Sequence, residues 1–205
     1  MELEELKSQW AQYDKKLTQN LKFNEEILRK MNLDNSKRAM NTPLIYEIIS
    51  TGTGVPALIY IISMTYKFGG DIKFLIPGII ASIALTIYQY FSIDKIRLLS
   101  NIDFYNSSLL DLQKAVSIFK KKYLSYKKYE LYYFPVFAIT SIPVLAIALR
   151  GFNLYDHPVR FAIAILLSIV LFYPLAFWYY KNIFDKKINN TNSFLEELLK
   201  YEKEE

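Results

Sequence analysis

Glu47, in the run PLIYEIISTGTGVP, is the one anionic side chain near the interior of a long apolar block. A carboxylate in such a place marks a functional residue by default, because an unpartnered charge in hydrocarbon is strongly disfavoured. Glu47 stands only about a turn from the block's edge, which makes a hydrated or lysine-paired carboxylate the quieter reading. Little else has chemical potential. His157, the only histidine, sits before Pro158 and has no cysteine or clustered carboxylates for company, so it reads as a loop residue and no metal site is expected. The chain has no cysteine, hence no disulfide or thiol nucleophile. Phosphate loops, serine elbows, HExxH and paired intramembrane acids are all missing. No catalytic residue and no cofactor is expected, and the chain reads as a non-enzyme.

A second constellation is compositional. Phe119 to Pro135, FKKKYLSYKKYELYYFP, interleaves lysines with tyrosines. Such a run suits a nucleic-acid groove, a solvated helix or a membrane surface. It falls directly before an apolar block, where lysines reach lipid phosphates while tyrosines place rings in the apolar boundary and hydroxyls in water. Lys127, Lys128, Tyr129, Tyr132 and Tyr133 are therefore assigned to the interface, with Trp178 in the same belt, echoed by Tyr46, Tyr88, Tyr90, Tyr179 and Tyr180. A nucleic-acid groove needs a domain to hold it, and none is on offer; no nucleic-acid partner is expected.

The elements that position these residues follow from the grouping of apolar residues. Fifty-two per cent of the 205 residues are hydrophobic, and they collect in four blocks: Pro43 to Tyr66, Ile72 to Phe91, Leu131 to Leu149 and Val159 to Tyr180. Each has about the 20 residues that a helix needs to cross ~30 Å of hydrocarbon. The short loops around Gly69 and Asp156 contain only Lys67, Lys73, Arg150 and Arg160, whereas the other 21 of 25 basic residues lie in the N-terminal arm, the central segment and the tail. By the positive-inside rule those three regions are cytoplasmic, and both termini are expected on that side of the membrane. The net charge of +5 is then explained by an anionic leaflet. The first 40 residues have no short apolar run with a cleavage site, so the first span is expected to act as its own insertion signal.

The expected fold is an all-α membrane protein. Its parts are an amphipathic arm (1–42), a first transmembrane hairpin (43–91), a central heptad helix (92–130), a second hairpin (131–180) and a helical tail (181–205). Along the arm, Leu3, Leu6, Trp10, Tyr13, Leu17, Asn20, Asn24, Ile27 and Met31 recur at steps of three and four. The central segment repeats the pattern at Leu98, Ile102, Tyr105, Leu109, Leu112, Val116, Phe119, Tyr123 and Tyr126, and the tail at Phe184, Ile188, Leu195 and Leu198. Three apolar stripes each need a cover. Either they form a coiled-coil-like bundle together, or the arm keeps its face for another protein, with Leu6, Trp10, Tyr13 and Leu17 as anchors.

Within the spans, Ser50 and Gly54 stand four apart and offer a small-xxx-small surface for helix packing. Five of the seven prolines lie in or at the ends of spans, where they are read as structural. Sliding the chain by 87 residues aligns Tyr46 with Tyr133, Thr53 with Thr140, Pro56 with Pro143, Leu58 with Leu145 and Lys73 with Arg160, which reads as a parallel repeat of two hairpins.

The arm, LEELKSQW followed by YDKKL, NL, NEEILRKMN and a basic stretch into PLIYEI, resembles the start of a group of uncharacterised small bacterial four-span membrane proteins. The resemblance implies a place in a bacterial inner membrane and an association with operons for alternative sigma factors, hence a membrane-bound, anti-sigma-like regulator. The function expected is a regulatory scaffold whose cytoplasmic helices bind a soluble protein. A homo-oligomeric pore or small transporter is the alternative, and the lipid bilayer, a soluble protein and the chain itself are the expected partners.

Overall fold

The structure is a computed structural model that describes residues 3–204, and side chains there other than those of residues 3–6, 8, 9, 11, 12, 25 and 201–204. The described residues are helical apart from short connections. α1 spans Leu3–Phe68, α2 Ile72–Ser100, α3 Leu109–Arg150, α4 Pro158–Tyr179 and α5 Lys186–Glu204. Four helices are long and apolar enough to cross a membrane. Arm and first apolar block form one 66-residue helix, which passes through Pro43 and Pro56 without a break.

α1 and α2 lie side by side in opposite directions. Their register is visible in the Ser50–Tyr88 and Thr51–Ser92 hydrogen bonds of 2.7 and 2.8 Å. Small residues bring the two backbones close: a Cβ at Gly54 would overlap the Gln89 amide, and one at Gly78 would overlap the Thr65 side chain. The turn between them is stopped by Asp71, whose carboxylate accepts from the Lys73 N–H at 2.9 Å and so caps α2. At this same end the connection from α3 to α4 packs against the α1–α2 turn, Tyr155 meeting both Phe74 and Phe161 with ring centroids 5.5 Å apart.

At the other end α1, α2, α3 and α5 converge on one apolar core. Leu33 and Met40 come from α1, Leu99 from α2, Leu112, Val116, Phe119 and Tyr123 from α3, and Ile188, Leu195 and Leu198 from α5. The central and tail stripes are therefore covered. The arm stripe is not: from Trp10 to Met31 its described apolar side chains are exposed, and core contacts start at Leu33.

The central segment differs from the single heptad helix expected of it. α2 ends at Ser100, and the chain turns through residues 101–108 before α3 begins. The carboxylate of Asp103 accepts from the backbone N–H groups of Tyr105 and Asn106, each at 3.1 Å, and Ser108 caps α3 through Asp111 N–H at 3.1 Å. Apolar spacing survives this break because Ile102 and Phe104 stay buried in the turn. Local side-chain acceptors for backbone N–H groups outcompete a continuous helix here.

α4 has no fully buried residue, and its side chains face outward along most of its length. Among the residues aligned by the 87-residue shift, Tyr46 and Tyr133 are both exposed, as are Lys73 and Arg160, and Leu58 and Leu145 are both half-buried, whereas Thr53 and Pro56 are exposed and their counterparts Thr140 and Pro143 are buried.

Candidate functional site

The helices meet at a buried ion cluster. Lys95 on α2 places its ammonium 2.6 Å from Glu47 Oε1 on α1 and 2.9 Å from Glu130 Oε1 on α3. All three side chains are at most 5% exposed. The ammonium thus joins three helices at the boundary between the apolar core and the membrane blocks.

Each carboxylate has further donors. Ser92 donates to Glu47 Oε2 at 2.5 Å, and Thr51, 2.8 Å from Ser92, must then donate to it in turn. The Tyr180 hydroxyl donates to Glu130 Oε2 in a short hydrogen bond. Such support is what a buried ion pair requires, since the loss of hydration on burial otherwise outweighs the Coulomb attraction.

Local sequence explains the convergence. Glu47, Ser50, Thr51 and Gly54 fall at i, i+3, i+4 and i+7, one face of α1; Tyr88, Ser92 and Lys95 fall at i, i+4 and i+7, one face of α2. Tyr180 reaches Glu130 through a local widening of the helix. Residues Tyr180–Asp185 form a π turn between α4 and α5, which turns Tyr180 and Phe184 into the core. Single π turns of this kind are frequent at functional positions.

A neighbouring pair encloses the cluster. Lys127 binds Asp185 at 2.7 Å, and Tyr123 donates to the same carboxylate at 2.9 Å. That pair is internally neutral. The inner cluster has one more carboxylate than ammonium.

Beside Glu130 lies a cavity of about 300 Å³ between α2, α3 and α4. Its walls are aromatic and aliphatic, with Tyr88, Phe91, Phe134, Phe137 and Tyr179 prominent, while Glu130 and Tyr180 form its polar side.

Residues assigned from sequence have mixed placements. Glu47 is lysine-paired. Ser50 hydrogen-bonds Tyr88, and Gly54 lies against Gln89, both between α1 and α2. Trp10, Tyr13 and Leu17 are exposed at 72%, 74% and 60%, and the Leu6 side chain lies outside the described residues. Lys128, Tyr129, Tyr132, Tyr133 and Trp178 are exposed. Lys127 departs from that assignment, since Asp185 engages it. Tyr88 and Tyr180 also leave the aromatic belt, because their hydroxyls find partners in Ser50 and Glu130 inside the protein.

Sequence reasoning missed Lys95 and Glu130. Lys95 counted as one basic residue among many after a span, and Glu130 was hidden in a lysine–tyrosine run. The available signal was the polar face Tyr88–Ser92–Lys95, which continues the helix period of an apolar block.

No protein-family model, curated protein or solved structure matches this chain.

Proposed function

We propose that the protein is a membrane-anchored regulatory scaffold, built on two helical hairpins in a bacterial inner membrane, whose N-terminal helix captures a soluble cytoplasmic protein. The exposed arm carries this reading. Trp10, Tyr13, Leu17, Leu21, Ile27, Leu28 and Met31 are all exposed, although the two other apolar stripes of the chain are covered. At 1.5 Å per residue the uncovered helix reaches about 45 Å past the bundle.

Its charge points to a protein rather than to lipid. Residues 1–32 contain six acidic and six basic side chains, so the arm has no net charge. A neutral helix gains nothing from an anionic leaflet, whereas aromatic and leucine anchors suit a groove on a partner. The resemblance of the arm makes an alternative sigma factor the first prey to test.

Pore and transporter readings receive less support. Thr53, Ser82, Thr140 and Ser168 return their hydroxyls to carbonyls of their own helices, at 3.0, 2.8, 2.8 and 2.8 Å, and so line no polar path.

The test is crosslinking in native membranes with the full chain, a chain lacking residues 1–31, and Trp10→Ala/Leu17→Ala, followed by mass spectrometry of the solubilised complexes. A soluble protein captured by the full chain and lost in both variants is expected, with membrane insertion unchanged. Capture retained by the arm-less chain would overturn the proposal, as would self-crosslinks alone.

A further inference from the structure

We infer that the cavity between α2, α3 and α4 is a binding site for a lipophilic organic cation, with Glu130 as its counter-ion. The charge inventory comes first. Around the cavity's polar side stand two carboxylates, Glu47 and Glu130, and one ammonium, Lys95; the adjacent Lys127–Asp185 pair cancels itself. The cluster thus has one more carboxylate than ammonium, and a cation seated beside it would complete the pairing that a buried carboxylate favours.

Only Glu130 brings that deficit to the cavity. Glu47 is enclosed by Lys95 and Ser92, while Glu130 is one of the lining residues. Its two oxygens accept from Lys95 and Tyr180. A carboxylate has about four acceptor positions, so half of them remain open. The Tyr88 and Tyr180 hydroxyls are already engaged, by Ser50 and Glu130.

The remaining wall supplies the rest of the recognition. Phe91, Phe134, Phe137 and Tyr179 surround the space with aromatic surface, whose faces attract a cation that has shed its water. About 300 Å³ is at the lower end of small-molecule sites. An anion would face Glu130, and a strongly hydrated inorganic cation would find no further oxygen ligands. A poorly hydrated ammonium with an apolar body matches walls and charge together.

The site is independent of the arm and needs no soluble partner. The test titrates benzyltrimethylammonium into the full-length protein in phosphatidylcholine nanodiscs, with empty nanodiscs as the partition control, and compares it with neopentylbenzene, its uncharged isostere. Saturable binding of the cation, at least tenfold tighter than that of the isostere, is expected. Glu130→Gln should weaken it at least tenfold. Ala176→Phe, which fills the cavity while leaving the ionic side chains themselves in place, should abolish it, and Phe134→Leu should weaken it several-fold even if Glu130→Gln does not fold. Equal affinity for the isostere would show a hydrocarbon seat and overturn the inference; so would cation binding that survives Ala176→Phe.

Discussion

Removing the Lys95 ammonium leaves Glu47 and Glu130 buried without a positive partner. Breaking one side of a buried ion pair costs about 3–5 kcal/mol, whereas replacing all members with neutral groups of similar size is often close to neutral. Lys95→Met should therefore lower the melting temperature in detergent sharply, and Glu47→Gln/Lys95→Met/Glu130→Gln should recover most of the loss. If the single and triple variants melt alike, the cluster is not a coupled unit. A second contrast concerns two glycines. Gly78→Ala drives a Cβ into the β-branched Thr65, which bonds the Ile61 carbonyl at 2.8 Å and cannot swing aside; overpacking of that kind costs about 1–3 kcal/mol. Gly54→Ala meets only the far end of Gln89, whose buried amide has no hydrogen-bond partner to lose. Gly54→Ala should thus be nearly neutral while Gly78→Ala destabilises, as thermal denaturation will show.

At the scale of elements, the turn of residues 101–108 decides how α2 hands over to α3. Asp103 binds the Asn106 side chain at 2.9 Å and two backbone N–H groups, and these bonds, the Asn106 side chain foremost, hold its carboxyl below the usual range. Tyr105 fastens the turn to α1 by donating to Asp34 at 2.6 Å, which pushes its own hydroxyl up. A carboxyl lowered in the folded state stabilises that state above its unfolded pKa and loses the effect as pH falls through the folded one. Protection of the turn's amides should be constant from neutral pH to about 4, the ordinary carboxyl value, and fall below it. Asp103→Ala should show reduced protection at neutral pH and no such transition, measured by amide exchange corrected for its intrinsic pH dependence. A turn whose protection ignores both pH and the substitution would mean that Ile102 and Phe104, buried beneath it, hold it alone.

The whole molecule divides at about residue 32. Beyond that point the apolar stripes of the central segment and the tail are covered, and before it none of the described arm side chains is buried, so the arm adds no packing to the remainder. Deletion of residues 1–31 should leave the melting temperature of the rest unchanged. Limited proteolysis should clip the full chain first within the arm, since a lone helix with a bare apolar face is marginally stable in water. A large drop in melting temperature on deletion would show that the arm folds back onto the bundle.

Four long apolar helices, the short connections between them and the apolar stripes of the central segment and the tail were all legible in the sequence, because hydropathy and the 3.6-residue period are local quantities that survive any tertiary arrangement. Glu47 was legible as an anomaly for the same reason. Its partners were not. Lys95 and Glu130 are 48 and 83 residues away along the chain, and their meeting depends on the register of three helices and on the π turn that delivers Tyr180. The turn at 101–108 escaped notice because its buried Ile102 kept the apolar spacing of a continuous helix while Asp103 and Ser108 diverted the backbone hydrogen bonds. Which stripe is covered and which is left bare was likewise settled only by packing: all three have the same period, and periodicity states that a face needs a partner without saying whether the chain itself provides one.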